Sequence, residues 1–242
     1  MQRRKTIGAR YLRFSLVLFL TAQSVAWAEP DTVILLHGLG GGPHSLKLME
    51  WRLERAGFRV YSIRYPRRAE SIDQIVATLH QKYRECCEDS GGRVHFVTHS
   101  LGGIVARAYV AEHRPANLGR IVMVAPPNGG SEIVDRVRGW WLSGIVLGPI
   151  GQQLGTGPED LPARAPVLDC DVGVIAGDHW INPLGRFMLP APHDGTVAVS
   201  RTYLPGMKGH LVVPHTHTFI MNSALVSRET IHFLREGRFQ SN

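Results

Sequence analysis

The sequence predicts an α/β fold with a mostly parallel central sheet and helices on both faces. Three observations predict it. Short continuous apolar runs, such as Val33-Ile34-Leu35-Leu36 and Ile121-Val122-Met123-Val124, have the length and character of strands buried on both faces. Stretches of helical spacing separate them at short intervals, the pattern of βαβ units. The first run ends directly in glycine, at His37-Gly38, where a strand hands over to a glycine loop. The 242 residues suit a single large core, and 44% hydrophobic with 19% charged residues excludes a disordered chain.

Residues 1–28 are set apart from that fold. Arg3, Arg4, Lys5, Arg10 and Arg13 precede an apolar core from Phe14 to Leu20, and Ala26-Trp27-Ala28 has the small-x-small form of a cleavage site. With Ser15, Thr21, Gln23 and Ser24 in it, the segment falls short of the ~20 apolar residues that span a bilayer. It reads as a signal peptide of a periplasmic or secreted protein, with an uncleaved membrane anchor as the alternative. Removing it lowers the formal charge from +7 to +2, which leaves no basic patch for nucleic acid. Residues 29–242 then form one domain.

Along that domain, Asp31 to His37 is the first strand and ends in His37-Gly38-Leu39-Gly40-Gly41-Gly42. The next helix is capped by Ser45, turns Leu46, Met49 and Leu53 inward, and stops at Gly57. Phe58 to Ile63 is a second strand. Ser71 opens a helix whose inner face carries Ile72, Ile75, Val76, Leu79 and Tyr83. Val94 to Ala108 reads as strand, turn and helix around Ser100, and Gly119 to Ala125 as another buried strand. From 132 to 167 the pattern loosens around Trp140, Trp141 and Leu142. An insertion there is placed to roof the strand ends as a short lid, with these three residues as substrate-binding candidates. Asp171 to Asp178 is the next strand, Pro192 to Ser200 a turn segment, and His210 to Met221 runs from a short strand toward a terminal helix ending near Gly237.

The chemistry centres on Thr98-His99-Ser100-Leu101-Gly102-Gly103. A serine on a strand-to-helix turn is held in a strained backbone that pushes its hydroxyl out of the sheet, and small neighbours let the turn close. Thr98 stands where the G-x-S-x-G pattern has its first glycine. A serine hydroxyl needs an imidazole to take its proton, and that imidazole needs a carboxylate to fix its tautomer. Asp194 and His217 follow in that order. Asp178 and His215 are the rivals for these roles, while His37 and His99 read as supports. The metal reading of His210, His215 and His217 with Asp194 lacks a ligand signature and leaves the serine and both glycine loops unexplained.

The His-Gly-Leu-Gly-Gly loop, the His-Ser-Leu-Gly-Gly elbow, the Asp-Gly-Thr-Val segment and the His-Thr-Phe-Ile-Met segment resemble those of the α/β-hydrolase superfamily, in particular small bacterial serine lipases and esterases related to GPI inositol-deacylase. The resemblance implies catalytic Ser100, Asp194 and His217 and an oxyanion hole of the Leu39 and Leu101 amides. It implies cleavage of carboxylic esters through an acyl-enzyme, with no cofactor and no metal, and a small-molecule or lipid ester as substrate. The lid would touch a lipid surface transiently. Alternatives are a thioesterase or acyltransferase with the same triad, or an inactive binding protein of this fold. Three cysteines remain after residue 28, and the expected disulfide joins Cys170 to Cys86 or Cys87, against three buried thiols.

Overall fold

The computed structural model describes residues 29–66, 69–141, 143–181 and 185–241. The signal-peptide reading of 1–28 and the substrate-binding candidate Leu142 lie outside the described residues. Six strands form one sheet: β1 (Thr32–Leu36), β2 (Arg59–Ile63), β3 (Val94–His99), β4 (Leu118–Val124), β5 (Val172–Gly177) and β6 (Gly209–Val213). Their order is β2-β1-β3-β4-β5-β6 and every pairing is parallel.

Alternate side chains of each strand enter two different cores, which is why the runs are apolar throughout rather than alternating. Val33, Leu35, Val97 and Val122 pack on one face with α1 (Lys47–Arg55) and α8 (Ala224–Glu236), through Met49, Leu53 and Phe233. Ile34, Leu36, Phe96 and Met123 pack on the other with α2 (Ile72–Cys86) and α3 (Leu101–His113), through Leu79, Ile104 and Tyr109. Between β4 and β5 lie α4 (Glu132–Val137), α5 (Ser143–Gly151) and α6 (Leu161–Arg164), and α7 (Gly185–Met188) follows β5. The α5 segment breaks at Gly148, whose φ of 65° precedes Pro149, a residue that cannot continue the backbone ladder.

Two expectations are corrected here. Ser45 does not cap α1. A 3-10 turn over Pro43–Leu46 comes first, and the Ser45 hydroxyl donates back to the Gly42 carbonyl at 2.7 Å. The disulfide joins Cys86 to Cys87, and Cys170 is a free, half-buried thiol. The pair lies at the last turn of α2, where Cys87 has left helical geometry, and burial pushes the Cys170 thiol up to about 11.

Candidate active site

The strand order reverses at β1. From there β2 lies to one side and β3 to the other, so the loops leaving β1 and β3 flank a crevice at their carboxyl ends. In register, Leu36 of β1 stands beside Thr98 of β3, which brings the glycine loop after β1 against Ser100. A Cβ on Gly38 would come within 3.1 Å of the Ser100 Cβ and 3.0 Å of His99 Nδ1. Ser100 has φ 52° and ψ −122°, a conformation L residues rarely adopt, and is only 8% exposed. The turn closes because residue 102 is glycine: a Cβ there would meet the Leu36 carbonyl oxygen at 2.6 Å.

His217 follows β6, and Asp194 lies on the long connection between β5 and β6. The His217 amide donates to the Asp194 carbonyl at 3.0 Å, which ties the two loops together. Gly177 makes room for both, since a Cβ there would lie 2.3 Å from the His215 carbonyl oxygen and 2.9 Å from the Asp194 Cβ. The side chains form a relay: His217 Nδ1 donates to Asp194 Oδ2 at 2.7 Å, and Ser100 Oγ donates to His217 Nε2 at 3.0 Å. The other carboxylate oxygen, Oδ1, accepts the amides of Thr196 at 2.9 Å and Val197 at 2.8 Å. Those two bonds fix the orientation of a side chain that is only 1% exposed.

Leu101 opens α3, and its N–H has no partner inside the helix. Leu39 lies in the loop after β1, its side chain against α5, where a Cβ on Gly151 would meet Leu39 Cδ2 at 2.5 Å. Asp178 instead accepts from its neighbour His179 at 2.7 Å. His210 bonds Thr202 at 2.8 Å and stacks on Tyr203, away from His217. Among the described residues no three His, Cys, Asp or Glu side chains are grouped to hold a metal ion. Trp140 and Trp141 stand 64% and 86% exposed on the turn between α4 and α5, while Ile145 and Leu147 of α5 line a cavity beside the glycine loop.

Comparison with known proteins settles the family. A model described as the alpha/beta hydrolase family matches residues 33–224. The chain belongs to that family. Among solved structures, the lipase BlEst2 of Bacillus licheniformis in mature form superposes with a TM-score of 0.68 at 19% identity, over 88% of this chain and 93% of that one. Phospholipase PlaB of Legionella pneumophila gives 0.63 at 18% identity, over 85% and 57%. A triacylglycerol lipase of Pseudomonas fragi is 36% identical over 66 residues, which is 27% of this chain and 21% of that lipase.

This α/β-hydrolase holds its site with His37 and His99, the expected supports, and with Tyr65 and Arg107, which motif spacing does not point to. Tyr65, beyond the end of β2, stacks on His37 with ring centroids 4.0 Å apart and donates its hydroxyl to the His37 carbonyl, directly before the glycine loop. Burial pushes the Tyr65 phenol far up, so it stays a donor. His99 Nε2 donates to the His217 carbonyl at 3.0 Å. Burial, with the His217 ring alongside, pushes the His99 imidazole down to about 3, so it is neutral. Arg107 of α3 is buried and spends its guanidinium on the carbonyls of Pro166 at 3.0 Å, Pro162 at 3.3 Å and Ala165. It thereby fastens the segment between β4 and β5 to the elbow helix. Distance in the chain hides these contacts. Arg107 alone leaves a signal in the sequence, a guanidinium among the apolar residues of the elbow helix.

Proposed function

We propose that the protein is a serine hydrolase of carboxylic esters. In this reading Ser100 Oγ attacks the acyl carbon while His217 Nε2 takes its proton, and Asp194 steadies the imidazolium. The carbonyl electrons move onto oxygen, which the Leu39 and Leu101 amides hold. His217 then returns the proton to the leaving alkoxide, and water resolves the acyl-enzyme by the same steps in reverse. Each oxyanion donor supplies roughly 3 kcal/mol of barrier lowering in enzymes of this kind. The observation that carries the reading is the relay of 3.0 Å and 2.7 Å bonds ending on a serine held at positive φ. The names of the similar proteins, lipase and phospholipase, support an ester as the bond cleaved.

The same reading takes an apolar acyl group and a lipid surface as partner. Trp140, Trp141, Ile145, Ile181, Phe187 and Phe219 are exposed on segments following the carboxyl ends of β4, β5 and β6, the edge that bears Ser100. Residues 132–167 act as the lid over this edge, in a protein exported through removal of residues 1–28. Labelling with a fluorophosphonate tests the mechanism. The label is expected on Ser100, and Ser100→Ala is expected to stay folded while losing both label and p-nitrophenyl ester turnover. Label on another residue, or wild-type turnover by Ser100→Ala, overturns the assignment. A series of acyl lengths tests the apolar wall, and preference for acetate overturns it.

A further inference from the structure

We infer that the cavity beside the glycine loop is an anion subsite in which Arg64 receives a carboxylate or phosphate carried by the ester substrate. The cavity measures about 840 Å³, within the range of small-molecule sites. Leu39, Ile145 and Leu147 give it apolar walls, and Arg64 and His44 give it its polar side. No Asp or Glu is among the described residues that line it.

Arg59 pairs with Glu29, Arg120 with Asp171, Arg138 with Asp160 and Arg201 with Glu132, whereas Arg64 is the arginine that lines this cavity. Arg64 has no ion pair among the described residues, and Arg67 and Arg68 follow it in the sequence with the same sign. An unpaired guanidinium beside low-dielectric walls attracts anions, and its planar fork matches a carboxylate or a phosphate. The link to the reaction is Leu39. Its amide is the proposed oxyanion donor and its side chain forms part of the cavity wall, so the reacting carbonyl and Arg64 border the same cavity.

The inference rests on the ester-hydrolase reading for its reaction, and its binding step can be measured without turnover. In the Ser100→Ala protein, calorimetry compares two pairs of soluble esters: mono-p-nitrophenyl glutarate against its methyl ester, and 1-butyrylglycerol 3-phosphate against 1-butyrylglycerol. The first pair reads a carboxylate, the second a phosphate. The charged member of at least one pair is expected to bind about fivefold tighter, the upper end for a solvent-accessible ion pair. Adding Arg64→Gln is expected to remove that advantage, with a melting temperature showing the variant folded. Equal binding within both pairs, or an advantage that survives Arg64→Gln, overturns the subsite. A charged ester that binds through Arg64 but is not cleaved by the protein with Ser100 intact supports the subsite and overturns the hydrolase reading instead.

Discussion

Replacing Asp194 by Asn tests the relay more sharply than removing the side chain, because the structure dictates how the carboxamide must sit. Oδ1 of Asp194 accepts two backbone amides, from Thr196 and Val197, and Oδ2 accepts from His217 Nδ1. An Asn offers one acceptor and one donor group. If its NH2 faced the two amides, donors would oppose donors in a site sealed from water, at about 1–3 kcal/mol for each group left unsatisfied. Its oxygen must therefore take the Oδ1 place, which turns the NH2 toward His217. The ring then has to accept at Nδ1 and carry its proton on Nε2. An imidazole protonated at Nε2 cannot take the hydroxyl proton of Ser100. The tautomer exchange in such a triad costs about 10⁴ in kcat, near 5.5 kcal/mol. The hydrogen bonds at position 194 remain satisfied, so the variant should melt close to the wild type. Initial rates on p-nitrophenyl butyrate at saturation give kcat, and thermal unfolding gives the fold. A loss of less than about a hundredfold in a folded variant refutes the claim that Asp194 sets the tautomer of His217.

Three further outcomes are expected. Tyr65→Phe removes the donor to the His37 carbonyl at the root of the glycine loop and should cost about 1 kcal/mol of stability. It should lower kcat about tenfold with KM nearly unchanged, since in the proposed mechanism the aim of the Leu39 amide matters most to the developing oxyanion; an unchanged kcat leaves Tyr65 a packing residue only. Gly102→Ala sets a Cβ 2.6 Å from the Leu36 carbonyl oxygen, a backbone atom that moves only with β1, so the urea midpoint should fall by an equivalent of about 1–3 kcal/mol. His99, held down to about 3 against 6.5 when exposed, binds its proton only in the unfolded chain between those values. The stability this group contributes is complete above about pH 6.5 and is lost on acidification, by up to about 1.4 kcal/mol per pH unit. Urea midpoints between about pH 7 and pH 4 should slope less steeply in His99→Gln than in the wild type, and equal slopes refute the assignment.

The fold was legible because its signals are local. Ile34 and Leu36 face one core and Val33 and Leu35 the other, so the whole strand is apolar and announces itself within a few residues. The expected parallel sheet with helices on both faces is the one observed, with boundaries displaced by a residue or so, as for β1 at Thr32–Leu36 rather than Asp31–His37. The start of α1 was misread because Ser45, a residue type that favours caps, spends its hydroxyl on the Gly42 carbonyl in a tighter turn. The disulfide was misread because spacing carries no information about which sulfurs meet in space, and two neighbours at a helix end met first.

The candidate site divides along the same line. Ser100, Asp194 and His217 each sit in a short segment with its own turn chemistry, so they could be singled out before any coordinate, and the structure brings exactly these three side chains into one hydrogen-bonded chain. His37 and His99 could be named as supports, but the partners that hold that chain in place are written in no segment. Tyr65 meets His37 across 28 positions, Arg107 meets Pro166 across 59, and His99 meets His217 across 118. Each is a side-chain donor ending on a backbone carbonyl, and a carbonyl looks the same in every residue, so the partner cannot be read from its type. The parallel sheet supplies the missing information. Once Leu36 is in register with Thr98, and Gly177 with Val213, the loops that leave β1, β3 and β6 must meet at one edge. The carbonyls that Tyr65 and His99 capture lie on two of those loops, that of His37 directly after β1 and that of His217 shortly beyond β6. The supporting contacts are therefore consequences of strand order, and a change that shifts register at β1 should disturb the glycine loop and the elbow together.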